Sequence, residues 1–206
     1  PGGFSYGDDI SAGRILAAQI ERYLQDGVRR FIDTGGLVLG ICNGFQVLVK
    51  AGLLPRPIEA FRRTCTIAAN EPPGFQDRWV CLEAVGSLCP LLEPGRRYEM
   101  PIAHGEGRVV FFDDNALQEV LRSGQGALRY VPVPPDVDGF GDLPANPNGS
   151  MADLAGLCDP GGRVLGLMPH PERFVEATQH PSWTSRRGAG EGDGLAIFRA
   201  ATALFR

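Results

Sequence analysis

Leu37, Val38 and Leu39 form a short apolar run behind Gly35-Gly36. After Gly44 the apolar positions Phe45, Val47, Leu48 and Val49 take helical spacing. A continuous run reads as a buried strand, and the change of period marks a helix. Residues 35–46 are therefore predicted as strand, sharp turn and helix, with Cys42 at the turn. Upstream, Ile10, Ile15, Leu16, Ile20, Tyr23 and Leu24 approximate one helical face over 10–24. A second helical stretch is predicted over 28–33, ended by Gly35-Gly36. Downstream, Gly52, Pro55 and Pro57 mark a loop. Strands follow over 64–69 and 79–85, rich in β-branched and aromatic residues, with a turn-rich link at 70–77. Strands at 98–103 and 109–112 flank His104-Gly105-Glu106-Gly107. Asp113-Asp114-Asn115 is set to cap a helix over 116–122, and 128–133 reads as a strand. Residues 132–149 read as a long loop, of the kind that often carries function. Asp159-Pro160-Gly161-Gly162 between 152–158 and 163–168 is a hairpin signal. Residues 179–193 are polar and glycine-rich and read as a mobile, solvated loop. A closing helix spans 195–205. Helices alternate with strands first and hairpins come later, which predicts an α/β sheet with antiparallel additions.

The totals narrow the classes. A chain of 206 residues buries a full core as one domain, 1–206. Its 20 basic and 24 acidic residues give a net charge of −4, which argues against nucleic acid as a partner. No apolar run reaches the length of a membrane span and no signal peptide is visible, so no membrane partner is expected. The five cysteines, 42, 65, 81, 89 and 158, are irregularly spaced without a CxxC pair. Neither a metal site nor a disulfide framework is expected from them, and a reducing, cytoplasmic setting is the simplest reading.

Candidate chemistry centres on Cys42. A strand–turn–helix bracketed by Gly40 and Gly44 is the layout of a nucleophile elbow, which lifts one side chain clear of a sheet. The helix after the turn points its positive end at the thiol, which favours thiolate. A lone cysteine after a strand is more often simply buried; the two glycines favour the elbow. Such a nucleophile needs a neighbouring histidine, and the chain has three: His104, His170 and His180. His180 has no nearby carboxylate in sequence. His104-Gly105-Glu106 and His170-Pro171-Glu172 both read His-x-Glu. Proline favours an extended backbone at His170, which sends residues i and i+2 to one side. Glu172 could then orient the imidazole as the third member of a triad does. Residue chemistry alone prefers this pair only modestly.

The stretches PGGFSYGDDISAGRILA, GICNGFQVLVKAGLLP, PIAHGEGR, NPNGS and GLMPHPERF occur across nearly the whole chain. Together they resemble the glutaminase subunit or domain of phosphoribosylformylglycinamidine synthase, a class I, triad-type glutamine amidotransferase of purine biosynthesis. The resemblance implies a flavodoxin-like amidotransferase sheet flanked by helices. It also implies strands ahead of the Pro1-Gly2-Gly3 turn, so N-terminal strands of the fold are expected to be missing. By resemblance Cys42 is the nucleophile, His170 the acid and base, and Glu172 its orienting partner. Gly3 and Asn43 would form the oxyanion hole. Gln46, His104 and Glu106 would lie where glutamine is held. Glutamine would be hydrolysed through a Cys42 thioester. The ammonia would pass to a synthetase subunit or domain that converts formylglycinamide ribonucleotide to formylglycinamidine ribonucleotide. No Walker A pattern is present, so ATP and Mg are expected at that partner, with a small accessory subunit as a further partner, and no cofactor in this chain. Two rivals stand beside this reading: a stand-alone hydrolase of the same class, and an amidotransferase-like scaffold without catalysis.

Overall fold

The computed structural model describes residues 1–8, 10–55, 63–86, 88–133, 143–186 and 190–205. Asp9, Pro57, Arg187 and positions 134–142 of the predicted loop lie outside the described residues. The elements in order are α1 (Arg14–Gln19), α2 (Gln25–Asp33), β1 (Val38–Ile41), α3 (Asn43–Lys50), β2 (Cys65–Ala69), β3 (Gln76–Ala84), β4 (Arg97–His104), β5 (Glu106–Phe111), α4 (Asp114–Arg122), β6 (Gly126–Val131), β7 (Leu154–Cys158), β8 (Val164–Leu167) and α5 (Gly194–Ala203).

A six-stranded sheet runs β1-β8-β7-β6-β3-β4, and β2 and β5 form a separate antiparallel ribbon. The sheet is mixed and the helices flank it, as the α/β reading requires. Only β1 and β8 pair in parallel; every other pairing among the described strands is antiparallel. The parallel pair decides where chemistry sits. The chain leaves β1 into Cys42 and leaves β8 into Met168-Pro169-His170, so both exits open at the same end of the sheet.

Local chemistry explains most elements. β5 alternates half-buried and buried residues, with Gly107, Val109 and Phe111 inward. Asp113 caps α4 by accepting from the Ala116 N–H at 2.8 Å. The β7–β8 turn is organised by buried Asp159, whose carboxylate accepts from the N–H groups of Gly161, Arg163 and Val164 at 3.0, 2.7 and 2.7 Å. Gly40 lets β1 meet α3: a Cβ there would lie 2.4 Å from Leu48 Cδ1 and 2.9 Å from the Gly44 carbonyl.

Three expectations need correction. The helices predicted over 10–24 and 28–33 are one continuous helical run from Arg14 to Asp33, joined by a π turn at Ile20–Leu24. Ile10, Tyr23 and Leu24, assigned to its inner face, are exposed, because Ile10 precedes the helix and Tyr23 and Leu24 lie within the π turn, where the register departs from α spacing. The predicted buried strand at 37–39 begins at Val38 and is half-buried there, since β1 lies at a sheet edge. The described part of 179–193 is mostly exposed, as a solvated loop would be, but it is anchored at His180 rather than free. His180 is buried against Trp79 and Phe174, with ring centroids 4.3 and 5.7 Å away. Its Nε2 lies 3.8 Å from Glu99 Oε2, a carboxylate that sequence proximity could not supply, and Arg186 pairs with the same Glu99.

Candidate active site

Cys42 stands between β1 and α3 with φ 51° and ψ −105°. A positive φ is uncommon outside glycine and is strained. Backbone bonds hold it: the Cys42 N–H donates to Leu167 O at 2.8 Å, and Gln46 N–H donates to Cys42 O at 3.1 Å. The turn directs the thiol towards the Ala103 carbonyl, 3.7 Å away on β4. The backbone N–H groups of Asn43 and Gly3 lie close enough to the sulfur to favour its ionised form. These are the two positions that the sequence resemblance names for an oxyanion hole.

His170 is almost fully buried, and its N–H donates to Pro101 O at 2.8 Å, which ties the loop after β8 to β4. Its Nδ1 lies 2.7 Å from Glu172 Oε1. A carboxylate only accepts, so Nδ1 carries the proton and Nε2 presents a lone pair. That Nε2 is buried without a hydrogen-bond partner among the described residues. Burial alone would raise the Glu172 carboxyl. The His170 hydrogen bond, its own backbone N–H and the charges of His170 and Arg173 outweigh burial and hold it below the usual carboxylate range. Gly2 lies between nucleophile and base: a Cβ on it would sit 2.6 Å from His170 Cε1 and 3.5 Å from Cys42 Cβ.

Cys42 and His170 share a cavity of about 400 Å³ with Gly3, Gln46, His104 and Glu106. Phe4, Phe75, Asp8 and Arg173 complete much of its wall. The thiol does not behave as its turn suggested. Desolvation raises it above the ordinary cysteine value, against the lowering effect of the Asn43 and Gly3 N–H groups and of Arg173. Burial outweighs the helix end, so the expected thiolate bias is overturned.

His104 is held neutral. Asn70 Nδ2 donates to the His104 and Gly74 carbonyls at 2.8 Å each, so its Oδ1 faces His104 Nδ1 at 3.1 Å as acceptor. Burial, with the nearby charge of His170, pushes the imidazole down to about 4. Gln46 is engaged rather than free: its Nε2 donates to Glu106 O at 2.6 Å and its Oε1 accepts from Asn43 Nδ2 at 3.0 Å. The Glu106 carboxylate is likewise occupied, accepting from Ser11 Oγ and the Ala12 N–H at 3.1 Å each.

Sequence reasoning missed Lys50, Asn70 and the wall residues Phe4, Phe75 and Arg173. A lysine inside the apolar run VLVKAGLLP was the available signal for Lys50. The NPNGS stretch lies behind the site. Buried Asn148 donates to Gly107 O at 2.9 Å, and Ser150 Oγ accepts from the Val109 N–H at 3.0 Å, so the motif braces β5 beside His104.

Residues 1–205 match the family model described as a CobB/CobQ-like glutamine amidotransferase domain. Among curated relatives, the phosphoribosylformylglycinamidine synthase subunit PurQ of Dehalococcoides mccartyi is 43% identical over 202 residues, covering 96% of this chain and 75% of the relative. The PurQ subunit of Archaeoglobus fulgidus is 39% identical, covering 97% of this chain and 74% of the relative. A chain in the solved structure of PurLQS from Thermotoga maritima matches with a TM-score of 0.72 and 32% identity, covering 100% of this chain and 78% of that one. The flavodoxin-like amidotransferase architecture expected from the sequence is the fold of this group. The chain therefore belongs to the glutamine amidotransferase family, among the PurQ subunits of phosphoribosylformylglycinamidine synthase.

Proposed function

We propose that this chain is the glutaminase of a phosphoribosylformylglycinamidine synthase. It hydrolyses glutamine to glutamate and ammonia. The ammonia goes to a synthetase partner that converts formylglycinamide ribonucleotide to formylglycinamidine ribonucleotide in purine biosynthesis. The observation that carries this reading is that a strained Cys42 and a His170–Glu172 couple line one cavity. The PurQ relatives and the PurLQS neighbour support the synthetase partner and the glutamine substrate.

The residues take these roles. Because the resting thiol is raised, Cys42 needs its proton removed as it attacks. Nε2 of His170 takes that proton while Sγ bonds to the glutamine side-chain carbonyl carbon. The oxyanion forms against the N–H groups of Gly3 and Asn43. His170 returns the proton to the leaving nitrogen, which departs as ammonia and leaves a γ-glutamyl thioester. Water then attacks, with His170 again the base, and glutamate leaves as the thiol is restored. Glu172 keeps the proton on Nδ1 throughout and steadies the imidazolium. Removing one oxyanion donor in such a site costs on the order of 3 kcal/mol of barrier.

In this reading residues 1–206 are a single glutaminase domain that uses no cofactor of its own. ATP and Mg act at the synthetase, and a small accessory subunit completes the assembly. The setting is cytoplasmic; no helix of the described residues is long and apolar enough to cross a membrane. The test is to treat the assembled enzyme with a diazoketone analogue of glutamine and map the peptides. One adduct is expected, on Cys42, and Cys42→Ala loses both adduct and glutamine turnover. Modification at Cys65 or Cys158, with turnover retained in Cys42→Ala, overturns the assignment. Glutamine turnover that ignores added synthetase would favour the stand-alone hydrolase instead.

A further inference from the structure

The segment that carries Gly3 is strained. Beyond Gly3, the consecutive residues Tyr6, Gly7 and Asp8 have φ of 56°, 69° and 56°. Two of them have side chains that disfavour this region, so the turn persists only where its surroundings over-determine it. Upstream it is pinned to the start of α3: the Gly44 N–H donates to Pro1 O at 3.2 Å, and the Ser5 N–H to Asn43 Oδ1 at 3.4 Å.

Downstream it is pinned by one ammonium and one carboxylate. Lys50 Nζ donates to Ser11 Oγ at 2.5 Å and to Ala12 O at 2.6 Å, and lies 3.3 Å from Glu106 Oε2. These three acceptors match the three protons of the ammonium. The same Glu106 oxygen takes the Ser11 hydroxyl and the Ala12 N–H. Lys50 is 6% exposed, and a charge that deep is unfavourable unless it is paired and satisfied. Packing holds one side of this part of the segment, where Ala12 is buried and Gly13 lies against Val47; on the other side Ser11 and Lys50 border a second cavity of about 320 Å³, lined also by Ile10, Arg14, Arg63 and Phe112. On that open side the ion pair does what side-chain packing does elsewhere. Glu106 carries it to the catalytic wall, because its carbonyl accepts from Gln46 on α3.

We propose that Lys50 and Glu106 form a clasp that positions the Gly3 N–H over Cys42, acting as positioning residues for the oxyanion and not as glutamine ligands. The proposal rests on the thioester reading above. It places the clasp's effect on the reacting state: glutamine binds as before, while its carbonyl oxygen meets a donor out of place.

The experiment uses the assembled synthase with Lys50→Met, Lys50→Arg, Glu106→Gln and Ser11→Ala. Three quantities are read: kcat and KM for glutamine, and the rate at which iodoacetamide alkylates Cys42, which needs no oxyanion donor. Lys50→Met and Glu106→Gln are expected to lower kcat by roughly 10- to 100-fold, with KM and alkylation within about twofold, since a misplaced donor loses part of what a deleted one loses. Lys50→Arg should recover part of kcat. Ser11→Ala removes one leg without removing a charge and should lower kcat about threefold, which keeps the test alive if the charge variants do not assemble. A rise in KM at unchanged kcat would make these residues glutamine ligands and overturn the proposal. Alkylation falling in step with kcat would overturn it too, as general loss of the site. Cys42→Ala run alongside separates the two levels: if it still turns over glutamine, the thioester reading itself fails.

Discussion

Nδ1 of His170 lies 2.7 Å from Oε1 of Glu172, and that contact determines which ring nitrogen carries the proton. A glutamine at 172 can offer an N–H where the carboxylate could only accept, so the opposite tautomer becomes available. Glu172→Gln is expected to lower kcat by roughly 100- to 10,000-fold, with a small change in KM. Steady-state glutaminase kinetics check this. A KM effect alone would mean that Glu172 serves glutamine binding.

Gly2 tests how tightly the base is seated. Its missing Cβ leaves room for the His170 ring, which would otherwise be met at 2.6 Å at Cε1. Gly2→Ala should displace the imidazole and lower kcat at least about tenfold, since small misplacements of reacting groups are expensive. Gly74→Ala, at a site where an added Cβ meets nothing within 4 Å, is the control for added bulk, although its φ of 138° adds some strain. Equal losses of activity in the two variants would contradict the seating role.

His104 gives a pH dependence of stability with a definite sign. Its ordinary value of 6.5 falls to about 4 in the folded chain. Between those two values the unfolded chain binds a proton that the folded chain refuses, so stability falls as the pH falls through that window. The loss approaches about 3 kcal/mol below the lower value and is roughly 2 kcal/mol between about pH 7 and pH 4.5. Denaturant midpoints for the protein and for His104→Gln measure it. The variant starts less stable, having lost its contact to Asn70, but its slope over this window should be shallower by that amount. Parallel slopes would mean that His104 titrates normally.

Asn148 carries a stability prediction away from the chemistry. It is fully buried, and its amide joins Gly107 O to the Ser150 hydroxyl. Asn148→Ala leaves the Gly107 carbonyl and Ser150 short of partners, which costs about 1–3 kcal/mol. Chemical denaturation reads this directly.

What could be seen in the sequence was local. The Cys42 turn, the alternation of β5, the Asp113 cap and the Asp159 hairpin all depend on residues within a few positions of each other. His170 and Glu172 are likewise two residues apart, but they meet through a 3-10 turn at Pro171–Arg173 and not through the extended backbone that the proline suggested. The rest depends on contacts between distant segments. Lys50 gains meaning only from Ser11 and Glu106, and His180 only from Trp79, Phe174 and Glu99. The π turn at Ile20–Leu24 shifts a helical register without a proline or glycine to announce it. The thiol's electrostatics were misread for the same reason: the helix end is visible in sequence, whereas the burial that overrides it comes from the assembled cavity.

The parallel pairing of β1 with β8 has a consequence in time as well as in space. Cys42 and His170 are far apart in the chain, and β8, which delivers the histidine, follows every other described strand. A nascent chain can form the β1 turn early, yet its thiol has no base until β8 docks alongside. Loop closure over so many residues is slow, and such contacts form late in folding. Emerging or half-folded chains would carry a cysteine without its base, and glutamine hydrolysis would begin only once β8 has docked beside β1. Glutaminase turnover can therefore serve as a reporter of complete folding in refolding experiments, lagging any signal from the helices.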